Sequence, residues 1–157
     1  MGIATALEQY LTRHKVVYDL VPHPHTETAS ATATAGHVAA DSFAKAVVIK
    51  GGDGFMLAVL PASYHIQFEE LRRLLADNDV SMANEEQIET LFIDCEPGAV
   101  PPLGAAYGLG VVLDDSLMQQ PDVYFESGDH ANLVHVSGSS FQKLLANARR
   151  GHFTKKG

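Results

Sequence analysis

The sequence predicts one α+β domain built around a mixed, largely antiparallel sheet. Three observations carry that prediction. Ala44 to Lys50 and Phe55 to Leu60 are β-type runs joined by Gly51-Gly52-Asp53-Gly54, a turn that permits positive φ and therefore makes a hairpin. Helical and strand patterns follow one another in mixed order, with hairpins among scattered helices. The chain has 157 residues, of which 46% are hydrophobic, enough for one substantial core. No internal repeat, linker or low-complexity block divides it, so residues 1–157 read as a single domain.

Taken in order, Ile3, Leu7, Tyr10 and Leu11 share one face at helical spacing, which predicts an amphipathic helix over 3–14. Val16 to Val21 reads as a strand ended by Pro22 and Pro24. The stretch from Thr26 to Ala40 is rich in Ala and Thr, and its second half predicts a short helix stopping before Asp41. After the hairpin, residues 68–75 read as a helix with Phe68, Leu71 and Leu75 inward. Asn84 and Gln87 have the spacing of a capping box, opening a helix over 85–92. Strand patterns follow at 109–113, 123–126 and 132–136. Ser139 with Gln142 forms a second possible capping box, predicting a last helix that runs to about Arg149.

Composition excludes several classes of function. The net charge of −8 argues against a general nucleic-acid binder and against a DNA-binding role, because such proteins carry a basic footprint. Basic residues do gather at Arg13 and Lys15, at Arg72 and Arg73, and at Arg149, Arg150, Lys155 and Lys156. They read as solvated charge at least as readily as RNA contacts. No apolar run approaches the ~20 residues that span a bilayer. The start, Met1 to Ala6, lacks the basic and apolar stretches of a secretory signal, so the cytoplasm is the expected compartment and no membrane partner is expected. The single cysteine, Cys95, excludes an internal disulfide and a cysteine-rich zinc site. It follows Leu91-Phe92-Ile93-Asp94, of strand composition, where a small buried thiol is a commoner role than a nucleophile. His23 and His25 form a His-x-His pair, but no further ligands stand at metal-binding spacing, so neither metal nor cofactor is expected.

Three segments carry chemistry. Residues 95–104 hold three prolines and two glycines, giving a stiff loop able to aim main-chain groups at a carbonyl or a water; composition alone also suits a plain crossover. Lys45 brings a charge into an apolar strand, on the face of Val47 and Ile49 and opposite Ala46. Such a lysine either guards a sheet edge or projects into a cleft as a fixed cation for phosphate. Glu126-Ser127-Gly128-Asp129-His130 is a turn by composition that offers polar groups, Ser127 and His130 among them, to a pocket.

In this order the pieces resemble the YbaK/prolyl-tRNA synthetase editing-domain family of freestanding aminoacyl-tRNA deacylases. The likeness rests on the Tyr18 strand with its Ala/Thr-rich sequel and on Ala44-Lys45-Ala46-Val47-Val48-Ile49-Lys50. It continues through Gly98-Ala99-Val100-Pro101-Pro102, which fits the family's Gly-x-x-x-Pro loop, and Val123 to Gly128, so it covers nearly the whole chain. The resemblance implies a mixed sheet curled into a partly open barrel with surrounding helices. It also implies a functional lysine at Lys45, a loop glycine at Gly98, and a polar turn at Ser127, Gly128 and His130. The implied substrate is a tRNA whose terminal adenosine carries a wrong small amino acid such as Ala, Ser, Thr or Cys, on tRNA-Pro or a related tRNA. Alanine-editing members commonly follow the lysine with a polar residue; this chain has Ala46, so amino-acid preference does not carry over.

An aminoacyl ester is already activated, so its hydrolysis needs a placed water and a stabilised oxyanion more than a nucleophilic triad. On the resemblance, the main chain of Gly98, Ala99, Val100, Pro101 and Pro102 positions the carbonyl or the water; one preorganised donor is worth roughly 3–4 kcal/mol. Lys45 holds the terminal phosphate or the developing charge. The ribose hydroxyl relays a proton, and His130 is an auxiliary base, histidine being suited to proton transfer near neutrality. Discrimination comes from pocket size, at about 1–3 kcal/mol per methylene. Tyr18, His23, Thr26 and Ala46 are the expected wall, with Ser127 and Gly128 beside it. The acidic surface implies weak binding of the tRNA acceptor end alone and help from an aminoacyl-tRNA synthetase or an elongation factor. The alternatives are a non-catalytic module that binds aminoacyl-tRNA or a synthetase, and a hydrolase of another small ester.

Overall fold

The computed structural model describes residues 3–23, 38–96 and 98–157. Helix α1 (Thr5–Arg13) turns Leu7, Tyr10 and Leu11 into the core, as their spacing requires. Its N-cap, Ala4, has no polar side chain. Instead the carboxylate of Asp94 accepts a hydrogen bond from Ala6 N at 3.0 Å, placing negative charge at the start of the helix.

Strand β1 (Asp19–Pro22) begins later than the expected run from Val16. Lys15 leaves the helix at a left-handed φ of 54° and Val17 is 85% exposed, so pairing starts only at Asp19. The strand is the edge of its sheet, where a proline is tolerated. The short helix expected within 26–40 falls largely outside the described residues; a 3-10 turn occupies Ala40–Ser42.

Strands β2 (Ala44–Gly51) and β3 (Gly54–Pro61) form the expected hairpin, with Gly51 opposite Gly54. Gly54 takes φ 116°, which a side chain would resist, and Asp77 Oδ2 fixes the turn by accepting from Gly52 N at 3.0 Å. Strand β4 (Tyr64–Ile66) leads into helix α2 (Phe68–Leu75). Leu71 is buried in a second core, against which Phe68, Leu74 and Leu75 pack. A two-residue strand, β5 (Ser81–Met82), precedes helix α3 (Glu85–Leu91). The helix opens on the anticipated capping box: Asn84 Oδ1 accepts from Gln87 N at 2.8 Å and Gln87 Oε1 from Asn84 N at 2.9 Å. The strand-like Leu91 to Asp94 is in fact the end of this helix and a turn, with Ile93 left 88% exposed.

Strands β6 (Gly110–Asp114), β7 (Asp122–Glu126) and β8 (Asn132–Ser137) occupy the three later strand positions. Helix α4 (Gly138–Leu144) is capped two residues before the expected Ser139. A Cβ at Gly138 would sit 2.1 Å from Gln120 O, so glycine alone fits there, and Ser137 Oγ accepts from Ser140 N at 3.1 Å. Nor does this helix run to Arg149. Arg149–Gly151 forms β9, parallel to β6, and Thr154–Lys156 forms β10, antiparallel to β4.

The class is α+β, as expected. Hydrogen bonding divides the described strands among a mixed sheet of order β5-β2-β3-β6-β9, an antiparallel sheet β1-β8-β7 and the pair β10-β4. Among the described residues no ladder closes them into a ring. The main core lies between the two larger sheets and holds Leu7 and Leu11 of α1, Phe92, Phe125 and Phe141. No helix among the described residues is long and apolar enough to cross a membrane.

Candidate active site

The two larger sheets touch where β2 and β7 run side by side, through a parallel bridge between Phe43 and Tyr124. Phe43 is buried with Ala62 and Leu133, and Val21 and Tyr124 pack against that small cluster. Strand alternation carries the same face forward. Two residues beyond the bridge, in the same direction, stand Lys45 on β2 and Glu126 on β7. Two residues beyond Val21 stands His23, whose N donates to Ala131 O at 2.9 Å. Lys45 is half-buried; burial lowers its pKa, and no carboxylate among the described residues offsets that effect.

Glu126 is the centre of this face. It is 5% exposed, with Oε2 at 3.1 Å from His130 Nδ1 and Oε1 at 4.0 Å from His23 Nε2. Burial, followed by the charges of Asp129 and Glu96, pushes its carboxyl up to about 8. The group is therefore largely protonated at neutral pH.

The turn after Glu126 is locked from within. Asp129 accepts from Ala131 N at 2.9 Å and from Asn132 N at 3.0 Å through Oδ1, and from Asn132 Nδ2 at 2.9 Å through Oδ2. Burial works to raise the Asp129 pKa, but these bonds and the Ser127 hydroxyl outweigh it and hold the carboxylate low. Ser127 Oγ is fully buried and lies 2.9 Å from both Asp129 Oδ1 and Asn132 O, so it stiffens the turn. His130 sits at a left-handed φ of 57°, an uncommon conformation for a residue with a side chain.

Gly128 joins this turn to the proline-rich loop. Its carbonyl accepts from Glu96 N at 2.7 Å, while Ser127 O accepts from Ala4 N at 2.8 Å. Within the loop, Glu96 O accepts from Ala99 N at 3.0 Å, and Gly98, exposed, takes φ 82°. The residues after it turn inward: Ala99, Val100, Pro101, Pro102 and Leu103 are all buried, which anchors the exposed glycine on a fixed base. Cys95 lies 3.3 Å from Tyr107 Oη, and burial pushes its thiol up to about 12, so it is no thiolate nucleophile.

The fold thus gathers His23, Glu96 and the Ser127–His130 turn around one buried carboxyl, with Lys45 placed in register on the neighbouring strand and the Gly98 loop tied to the same turn through Glu96. It does not gather every candidate. Tyr18 precedes β1 and packs against the main core. Ala46 packs against the same core, opposite Lys45, and Val100 is part of that core. Thr26 lies outside the described residues. Glu126, Glu96 and Asp129 do not stand out as candidates in the sequence alone. Glu126 carried the signal that singled out Lys45, a charge within an apolar strand whose neighbours Val123 and Phe125 face the core. Among the described residues, no group of three or more His, Cys, Asp or Glu is arranged to hold a metal ion. A separate cleft of ≈ 400 Å³ opens at the other end of the β2–β3 hairpin, between Lys50, Asp77 and Arg149, and none of the candidate residues lines it.

Comparison with known proteins gives the family and the fold. The sequence profile of the aminoacyl-tRNA editing domain matches residues 23–144, a span that holds every candidate residue but Tyr18. A proline--tRNA ligase from Thermosipho africanus (strain TCF52B) is 33% identical over 82 residues, 52% of this chain and 14% of the ligase. The chain therefore spans a small part of that relative's length. Among solved structures, a candidate trans-editing enzyme for prolyl tRNA synthetase superposes with a TM-score of 0.81 at 22% identity, over 97% of this chain and 96% of that one. A protein described only as hypothetical superposes with a TM-score of 0.83 at 18% identity, over 96% of this chain and 99% of that one. At such identities these two likenesses speak for the fold.

Proposed function

The chain belongs to the aminoacyl-tRNA editing-domain family, and from that premise we propose that it is a trans-editing deacylase. It hydrolyses the ester that joins a wrong small amino acid, such as Ala, Ser, Thr or Cys, to tRNA-Pro or a related tRNA. The observation that supports this reading is the buried Glu126 carboxyl beside His130, on the strand bridged to that of Lys45 and on the turn bonded to the Gly98 loop. In this reading the two larger sheets, joined at Phe43 and Tyr124, are walls of a partly open barrel, and residues 1–157 act as one editing domain.

Each group has a part. Lys45 is a partly desolvated cation, so its attraction for a phosphate of the terminal nucleotide or for a developing oxyanion is weakly screened. The exposed main chain at Gly98 approaches the ester closely because no side chain intervenes. A single preorganised donor there lowers the barrier by roughly 3–4 kcal/mol. His130 exchanges the proton, and His23 closes the site beside Glu126. Ser127, Gly128 and the buried 99–102 segment act by holding these groups in place. With a net charge of −8, the protein binds the acceptor end weakly by itself, and a synthetase or an elongation factor supplies the remaining affinity.

The experiment is hydrolysis of tRNA-Pro charged in turn with Ala, Ser, Thr, Cys and Pro. Release of at least one small amino acid, with Pro-tRNA spared, is expected. Binding without turnover of any of them would identify a non-catalytic module. Cleavage of simple esters with no benefit from tRNA would identify a different hydrolase.

A further inference from the structure

The Glu126 carboxyl is enclosed by the protein. Its Oε1 meets no hydrogen-bond partner among the described residues, and its Oε2 lies 3.1 Å from His130 Nδ1. Burying such a group is unfavourable unless it is matched. His130, four residues on, is held left-handed at φ 57°, a strained conformation for a residue with a side chain. The bonds to Asp129 maintain that strain and bring the imidazole back onto Glu126. A carboxyl on one imidazole nitrogen fixes the ring and its tautomer, which determines what the other nitrogen can do.

Resting on the deacylase reading above, we propose that Glu126 is a positioning residue. Its carboxyl, packed 3.1 Å from Nδ1, orients the His130 imidazole, while the reaction runs through Nε2. As the water oxygen bonds to the ester carbon, a water proton passes to His130 Nε2. As the tetrahedral intermediate collapses, the carbon–oxygen bond to ribose breaks and that proton passes to the departing ribose oxygen. The products are the free amino acid and a ribose hydroxyl.

The groups that face Glu126 are His23 from the end of β1, Glu96 from the loop after α3, and Asp129 and His130 from its own turn; Lys45 stands in register with it on β2. Burial, and then the carboxylates of Asp129 and Glu96, disfavour a further negative charge, which keeps the Glu126 carboxyl protonated near neutrality.

Two measurements test the proposal on the full chain. In the first, the ring signals of His130 are followed by NMR through a pH titration of the wild type, Glu126→Gln and Glu126→Asp. The titration and tautomer of His130 are expected to change in Glu126→Gln, with those of His65 and His152 unmoved. An unchanged His130 would overturn the proposal. In the second, Glu126→Gln is expected to lower kcat on a cleaved aminoacyl-tRNA by roughly tenfold or more and to alter its pH profile, with KM within about twofold. Unchanged kcat and profile would also overturn it. If Glu126→Gln does not fold, Glu126→Asp, which draws the carboxyl back by one methylene, is read in its place. If the wild type cleaves no aminoacyl-tRNA, the deacylase reading fails, and the His130 titration still decides whether Glu126 governs that ring.

Discussion

Gly128 holds three chain segments together without a side chain of its own. Its φ is 110°, and a Cβ there would come within 2.8 Å of Ala4 Cβ and 3.4 Å of Cys95 Sγ. Gly128→Ala therefore adds strain to a contact that cannot open without separating α1 from the site, and a loss of about 2–4 kcal/mol is expected in denaturant unfolding. Glu126 makes a prediction of the opposite sign. Its ordinary value is 4.5 and its folded value is about 8. Between these limits the unfolded chain releases a proton that the folded chain keeps, so this group favours folding fully only below the lower value. Stability then falls as pH rises through the window, by up to roughly 1.4 kcal/mol per pH unit from this residue. Glu126→Gln removes that slope, and its stability relative to the wild type should rise steadily across the window. A difference that is flat with pH would show that Glu126 ionises normally.

At the scale of elements, the three-stranded sheet is pinned at its outer end by His135 of β8, which lies 3.2 Å from Asp19 of β1 and 2.8 Å from Asp122 of β7. Tyr124 stacks on its ring at 4.6 Å. Burial works to lower the His135 pKa, but the two aspartates outweigh it and raise the value above 6.5. The contribution is complete below the unfolded value and is lost as pH rises through the folded one. His135→Gln should therefore cost most in mildly acidic buffer and least at alkaline pH, by under about 1 kcal/mol because both aspartates are exposed. An equal cost at all pH would exclude the ionic account.

The hairpin, α2 and the Asn84 cap were legible in the sequence because each is specified by adjacent residues: a glycine turn, an apolar stripe, a reciprocal cap. Strands β4, β5, β9 and β10 were not. Each has only two or three residues and is defined by its partner, as Arg149–Gly151 is by β6. The start of α4 was displaced by a packing constraint at Gly138 from a residue eighteen positions earlier, Gln120.

Across the whole molecule, the candidate site is a junction between sheets. Lys45, Gly98 and His130 could be singled out because each departs from its local pattern: a charge in an apolar strand, a glycine among prolines, a histidine in a polar turn. Their relative placement depends on the parallel contact of β2 with β7 and on the Glu96–Gly128 bond, and neither leaves a mark in adjacent residues. The same limit explains Tyr18, which packs on the main core ahead of β1, and Ala46, whose strand parity turns it toward that core. The most direct test of the central claim compares the wild type with Lys45→Ala on the mischarged tRNA that the wild type cleaves, with melting temperature recorded for both. Lys45 is half-buried, and no carboxylate neighbour offsets its desolvation among the described residues, so its removal should leave folding intact. The account predicts an unchanged melting temperature with deacylation slowed roughly a hundredfold, the scale of one lost electrostatic contact to the reacting group. Wild-type deacylation by a folded Lys45→Ala protein would contradict it.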